Sequence, residues 1–132
     1  GKVDGMVTNL QHYPYATITN KTPYDIDMSK GKYGMYISVG GLPEENAVTY
    51  LGCKSDSMNE GLPAGETWTA SSRGACLITW VTATPTLPNL PDGLKCASYH
   101  SSGTSYSIFF ILMKGDDACC VRSSHETPQE CP

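Results

Sequence analysis

All six cysteines of this 132-residue chain lie in its last eighty residues, and the first fifty-two residues contain none. An even number of cysteines in a chain of this size is typical of a disulfide framework made in an oxidising compartment. The length suits one domain with a single core. We therefore expect an extracellular or cell-surface domain stapled by disulfides at Cys53, Cys76, Cys96, Cys119, Cys120 and Cys131.

Two adjacent cysteines constrain how this framework can be paired. A bond between Cys119 and Cys120 would close a strained small ring, so each is expected to pair elsewhere, and two bridges should converge on one strand. The pairing itself stays open. The allowed pairings include Cys120 with Cys131, Cys96 with Cys119, and Cys53 with Cys76. A zinc site that adds His125 to these cysteines would have no common ligand spacing, and no metal is predicted.

Alternation of apolar and polar residues with a period of two runs through much of the chain and predicts β-strands. Short strands are predicted at about residues 15–19, 33–39, 47–53 and 67–70, and two apolar central strands at 76–83 and 106–113. Within one central strand, Trp80 is expected to share a face with Ile78. The proline-rich residues 84–93 are predicted to form a surface loop, and residues 43–46 are a weak helix signal.

The predicted fold class is all-β, with no internal repeat. We expect a single antiparallel β-sandwich or jelly-roll-like domain over residues 14–132, with an extended N-terminal arm at residues 1–13. The sequence Ile18-Thr19-Asn20-Lys21-Thr22-Pro23-Tyr24 resembles the opening strand and turn of thaumatin-like proteins and aegerolysins, which are secreted β-sandwich families. The resemblance covers these seven residues, and no site or activity is transferred from it.

Charge and hydropathy exclude several classes of function. The formal net charge is -4 and the basic residues are scattered, so nucleic acid is not an expected partner. The longest apolar run, residues 108–113, is too short for a transmembrane span, and the chain has the character of a mature soluble form.

Catalysis is not predicted, and neither is a cofactor. No recognisable catalytic motif contains His12, His100 or His125, although the last two have serine neighbours. If every cysteine is oxidised, no thiolate remains as a nucleophile. The carboxylates of Asp25 and Asp27 share a spacing that could suit calcium, but solvated acids are the default interpretation.

Aromatic residues beside small polar ones are typical of sugar-binding surfaces. The candidates for such a ligand site are Trp68, Tyr99 and Tyr106, which would make the protein a soluble carbohydrate-binding lectin. The alternative for Trp68 is that it alternates inward with Ala70. Asn20 begins the sequon Asn-Lys-Thr and is the predicted N-glycosylation site.

The N-terminal arm carries the leading functional hypothesis. Its apolar residues fit neither strand nor helix spacing: Val3, Met6, Val7 and Leu10. An extended arm of this kind can add to a neighbouring copy and give head-to-tail assembly. We therefore predict a non-catalytic secreted structural or adhesive protein, the glycosylated subunit of an extracellular filament, whose partners are further copies of itself or glycans.

Overall fold

The structure, a computed structural model, describes residues 13–26, 33–38, 56–57, 61–70, 76–83, 91–126 and 130–132. These residues contain strands and turns without a helix, so the all-β prediction is confirmed for them. The strands are β1 (Thr17–Asn20), β2 (Tyr33–Ser38), β3 (Asp56–Ser57), β4 (Thr67–Thr69), β5 (Leu77–Ala83), β6 (Lys95–Ala97), β7 (Tyr99–Thr104), β8 (Ile108–Lys114) and β9 (Ala118–Ser123). Within the same ranges, no helix has the length and apolar character needed to cross a bilayer.

The first sheet has five strands in the order β4-β1-β8-β9-β6, and it is mixed. Strand β1 pairs with β8 in parallel, and β6 pairs with β9 in parallel, whereas the β8–β9 hairpin is antiparallel. The prediction of an antiparallel domain is therefore wrong for this sheet. Parallel neighbours need a long crossover rather than a hairpin, and here each parallel pair is joined through other strands.

The second sheet has four strands in the order β3-β2-β5-β7, and all its pairs are antiparallel. The two apolar strands predicted to be central, β5 and β8, are interior strands of different sheets. The buried hydrophobic residues of both sheets form one cluster, which includes Ile78 and Val81 from β5 and Phe109 and Ile111 from β8. Two sheets that share one core are the arrangement that a β-sandwich requires.

A β-bulge at Thr79 changes which side chains of β5 reach the core. Ile37 of β2 pairs with Ile78 and Tyr36 pairs with Trp80, so Thr79 is the extra residue. Because the bulge breaks the alternation, the core receives Ile78 and then Val81, while Trp80 is only partly buried. The predicted common face of Trp80 and Ile78 is therefore wrong.

The five-stranded sheet has one buried face and one outer face. In the row that faces the core, Trp68 pairs with Ile18, which pairs with Phe109, which pairs with Ser123. The neighbouring row faces outward and runs through Thr67, Thr19, Phe110 and Arg122. The sheet therefore presents threonines on its β4–β1 side and larger side chains on β8.

Two described disulfides converge on β9, as the adjacent cysteines predicted. Cys96 is bonded to Cys119, and Cys120 is bonded to Cys131. Cys76 is also disulfide-bonded, and its candidate partner Cys53 lies outside the described residues. The two bridges leave no thiolate on β9 for the zinc alternative. The predictions for residues 1–12, 43–46, 47–53 and 84–90 likewise fall outside the described ranges.

Candidate functional site

One end of the five-stranded sheet brings together large exposed hydrophobic residues and several polar side chains. Because β1 and β8 are parallel, their N-terminal ends lie side by side. The C-terminal end of β9 is at the same end, since β9 is antiparallel to β8, and the C-terminal end of β6 follows because β6 is parallel to β9. Residues that enter β1 and β8 or leave β6 and β9 therefore share this end.

An aromatic stack lies at this end. The rings of Tyr106 and His125 are nearly parallel, with centroids 4.0 Å apart and an interplanar angle of 7°. Tyr106 leads into β8, and His125 lies in the turn that follows β9, where its backbone N–H donates to Ser123 Oγ at 3.1 Å. The hairpin pairing of β8 with β9 is what brings these distant residues together.

The large hydrophobic residues that are exposed within the described ranges also lie at this end. They are Tyr15 (57% exposed), Ile108 (48%) and Tyr106 (37%), and we call them the apolar patch. Thr17 pairs with Ile108, and Thr17 N donates to Ser107 O at 2.8 Å, so the parallel ladder continues just before β8. Tyr15 and Tyr106 each lie two residues before this Thr17–Ile108 pair.

A pocket of about 240 Å³ lies where the chain crosses from one sheet to the other. The crossing residue is Ser98, between β6 and β7. We call this cavity the corner pocket. Its lining is formed by Ala97, Ser98, Tyr99, His100, Cys120, Val121, Arg122, Glu126 and Pro132.

Hydrogen bonds and an ion pair hold the polar groups of the corner pocket. Arg122 Nε lies 3.5 Å from Glu126 Oε1, and the same carboxylate oxygen accepts a 2.7 Å hydrogen bond from Ser123 N. On the other side, the hydroxyl groups of Ser98 and Thr82 are 2.7 Å apart. The pocket therefore combines a carboxylate, a guanidinium and a hydroxyl, each held by a contact within the protein.

The three predicted ligand-binding aromatics do not form one site. Tyr99 is buried in the core, and its ring meets Phe109 edge to face. Burial raises the pKa of the Tyr99 phenol, and the Glu126 carboxylate adds to that effect. Trp68 is partly buried and packs against the core, with Ala70 buried beside it, so the inward alternative is confirmed. Of the three, Tyr106 is the one at the surface.

Asn20, the predicted glycosylation site, is fully buried and uses its side chain to build a turn. Its Nδ2 donates to Tyr24 O at 2.7 Å and to Leu62 O at 3.0 Å. Its Oδ1 accepts from Thr22 N at 3.0 Å and from Thr22 Oγ1 at 2.7 Å. The two donor hydrogens and two lone pairs of the amide are thus all used, and this geometry disfavours a glycan on Nδ2.

The other polar residues considered as catalytic or metal-binding candidates contact neighbouring groups of the protein. Ser124 Oγ lies 3.5 Å from His125 Nδ1, and both residues are surface neighbours in one turn. Asp25 Oδ1 accepts a hydrogen bond from Ala64 N at 3.0 Å. No group of three or more potential metal ligands occurs in the part of the chain that the structure describes. His12, Asp27 and the apolar arm residues lie outside that part.

Sequence reasoning missed the pair Arg122–Glu126 and the exposed position of Ile108. The spacing of Arg122 and Glu126 carries no signal outside a helix. Ile108 belongs to an apolar run that suggested burial on both faces, although the outer face of β8 is exposed at this end. Comparison with known proteins adds nothing to this surface, since no family model, curated protein or solved structure matches the chain.

Proposed function

We propose that this protein is a non-catalytic secreted structural or adhesive protein that assembles with copies of itself through its N-terminal arm. The observation that carries the proposal is the position of the apolar patch. Tyr15 is separated by only two residues from residues 1–12, so the patch includes a residue close in the chain to the segment that we propose to be the arm. A chain that presents an arm and an apolar patch has both halves of a head-to-tail contact.

The composition of the patch suits a protein contact. Aromatic residues are enriched in the cores of protein interfaces, and tyrosine supplies contact area together with a polar hydroxyl. Ile108 and the two tyrosines form an apolar surface, which Thr17 borders as the partner of Ile108 and His125 borders as the ring stacked on Tyr106. Such a surface favours association with another protein surface rather than chemistry.

Head-to-tail assembly follows if the arm of one copy packs on the patch of the next. A contact of this kind is heterologous, and it produces an open filament when its rotation does not close a ring. The repeating subunit of an extracellular filament is therefore the specific form of the proposal. The disulfides that converge on β9 support the extracellular assignment, because such bonds persist in oxidising compartments.

The proposal is tested with two variants that each remove one half of the contact. Deletion of residues 1–12 removes the arm, and Ile108→Ser weakens the patch. Light scattering and negative-stain microscopy should show filaments for the parent and monomers for each variant. Lys114→Ser is the matched control, because Lys114 is exposed at the opposite end of β8.

Mixing the two variants sharpens the test. The deleted chain keeps a patch and the Ile108→Ser chain keeps an arm, so together they should form capped dimers that do not elongate. Unchanged association of either single variant contradicts the proposal, and so does a parent that stays monomeric at all concentrations.

The alternative predicted from the sequence is a soluble lectin that uses Trp68, Tyr99 and Tyr106. Trp68 and Tyr99 contribute to the core, so the three residues do not form one exposed sugar-binding surface. Sugar recognition by this chain therefore requires a different site.

A further inference from the structure

We infer that the corner pocket binds one neutral sugar residue, either a free monosaccharide or the terminal residue of a glycan. The size of the pocket is the first reason. Its volume of about 240 Å³ is below the roughly 300 Å³ at which pockets for drug-sized ligands begin. One pyranose ring suits such a space, whereas a longer glycan would have to extend into solvent.

The charges of the lining favour a neutral ligand. The Arg122 guanidinium and the Glu126 carboxylate form an ion pair 3.5 Å apart, so their charges offset each other at the pocket wall. An anionic ligand would meet the Glu126 carboxylate, and a cationic ligand would meet the Arg122 guanidinium. Vicinal hydroxyls suit both groups, because one hydroxyl can donate to a carboxylate while its neighbour accepts from a guanidinium.

Further polar groups complete a set that matches a polyol. His100 is exposed on the pocket wall, and a neutral imidazole offers one donor and one acceptor. Ser98 contributes a hydroxyl whose position is fixed by Thr82. A ring carrying several hydroxyls can satisfy these groups together, which a small apolar ligand cannot do.

The remaining wall is apolar and can face the C–H side of a sugar ring. It includes the exposed side chain of Ala97 and the disulfide-bonded Cys120. His125, whose ring stacks on Tyr106, immediately precedes the lining residue Glu126 in the chain.

The pocket is held in place before any ligand binds. The Cys120–Cys131 bridge fixes one wall, and the Cys96–Cys119 bridge joins β6 to β9 beneath it. The Glu126 carboxylate is positioned by its hydrogen bond from Ser123 N. Preorganised groups lose little entropy on binding, which suits a small ligand with few contacts.

The test measures neutral monosaccharides by NMR titration of isotope-labelled protein: glucose, galactose, mannose and N-acetylglucosamine. At least one should bind saturably and shift the resonances of His100 and Glu126. In Glu126→Gln, which keeps an acceptor for Ser123 N, and in His100→Ala, at an exposed position, the dissociation constant should rise about tenfold or more. Lys114→Ser, at an exposed position outside the pocket, is the control and should bind as the parent does.

Two further measurements distinguish a glycan from a free monosaccharide, and a neutral sugar from an anionic one. A glycan array distinguishes recognition of a terminal residue from binding of free monosaccharide alone, and glucuronate should bind more weakly than glucose. The inference is overturned if no neutral sugar binds saturably, or if Glu126→Gln and His100→Ala both bind as the parent does. The same titration on the chain lacking residues 1–12 should be unchanged, so sugar binding and assembly can fail independently.

Discussion

The ring of Tyr99 meets the ring of Phe109 edge to face, with centroids 5.0 Å apart and an interplanar angle of 67°. Tyr99 begins β7 at one edge of the four-stranded sheet, and Phe109 lies in β8, the central strand of the five-stranded sheet. The contact therefore ties the edge of one sheet to the middle of the other. Phe109 is fully buried and Tyr99 nearly so, which makes the pair part of the shared core.

Tyr99 should make the protein sensitive to alkali. Burial raises the pKa of its phenol above the ordinary 10.0, so the folded state holds this proton more tightly than the unfolded state does. As pH rises past about 10, the unfolded state binds fewer protons than the folded state, and the free energy of unfolding falls until the folded pKa is passed. Below that range the contribution does not depend on pH.

Urea unfolding at several pH values measures this effect. Tyr99→Phe keeps the ring contact with Phe109 and removes the phenol, so its stability should fall less above pH ~10 than that of the parent. Tyr15→Phe, at an exposed ring, is the matched control and should follow the parent. Parallel curves for parent and Tyr99→Phe would contradict the assignment.

Two isoleucines of β8 should lose very different amounts of stability on the same substitution. Ile111 is fully buried, so Ile111→Thr removes a methyl group from the core and buries a hydroxyl, at a cost of about 3 kcal/mol. Ile108 is half exposed, and Ile108→Thr should change the free energy of unfolding by about 0.5 kcal/mol or less. Chemical denaturation of the chain lacking residues 1–12 separates this stability from assembly. Equal losses would show that the two faces of β8 are assigned wrongly.

Strands with strong periodicity could be predicted from the sequence, and strands set by distant pairing could not. The predicted strands near Thr17, Trp68 and Ile78 are present as β1, β4 and β5, and the strand at 106–113 is present as β8. Strand β7 was missed because Ser101, Ser102 and Gly103 have weak strand propensity, and its place depends on pairing with β5. The parallel β1–β8 pairing has no local signal, because residues far apart in the chain form it.

The candidate surface was predictable only in part for the same reason. Tyr106 could be proposed from its polar neighbours, but its partner His125 is placed by the β8–β9 hairpin. Tyr99 has similar neighbours in sequence and is nevertheless a core residue, because β7 turns that side chain toward Phe109. Local composition thus describes what a residue can bind, whereas the sheet decides whether a ligand can reach it.

The two described disulfides should contribute similar stability despite their different loops. The bridge Cys96–Cys119 spans 23 residues and Cys120–Cys131 spans 11, for which chain-entropy estimates are about 3.4 and 2.8 kcal/mol. Replacing each pair by serine, as a double variant, should lower the free energy of unfolding by about 3 kcal/mol. Non-reducing mass spectrometry of each double variant checks the pairing. If the other described bond is replaced by one that joins different cysteines, the connectivity on β9 is wrong.

Asn20 should prove to be a folding residue rather than a glycan carrier. Asn20→Ala removes four hydrogen bonds, three of them buried, and should cost about 3 kcal/mol. Thr22→Ser keeps the hydroxyl and the sequon and should cost much less than Thr22→Val, which removes both. Thr67→Ala, which loses an exposed hydroxyl contact, is the control for removal of a polar group at the surface.

Expression in a glycosylating host and in one that adds no glycans tests whether Asn20 carries a glycan or acts only in the fold. Because Asn20 Nδ2 is buried and both its hydrogens are donated, peptide mapping of protein secreted from a glycosylating host should find Asn20 unmodified. Thr22→Val should then lose the same stability whether it is made in that host or in one that adds no glycans. A glycopeptide at Asn20 in the folded protein, or a loss confined to the glycosylating host, would mean that the amide is solvent-accessible and that the turn is built differently.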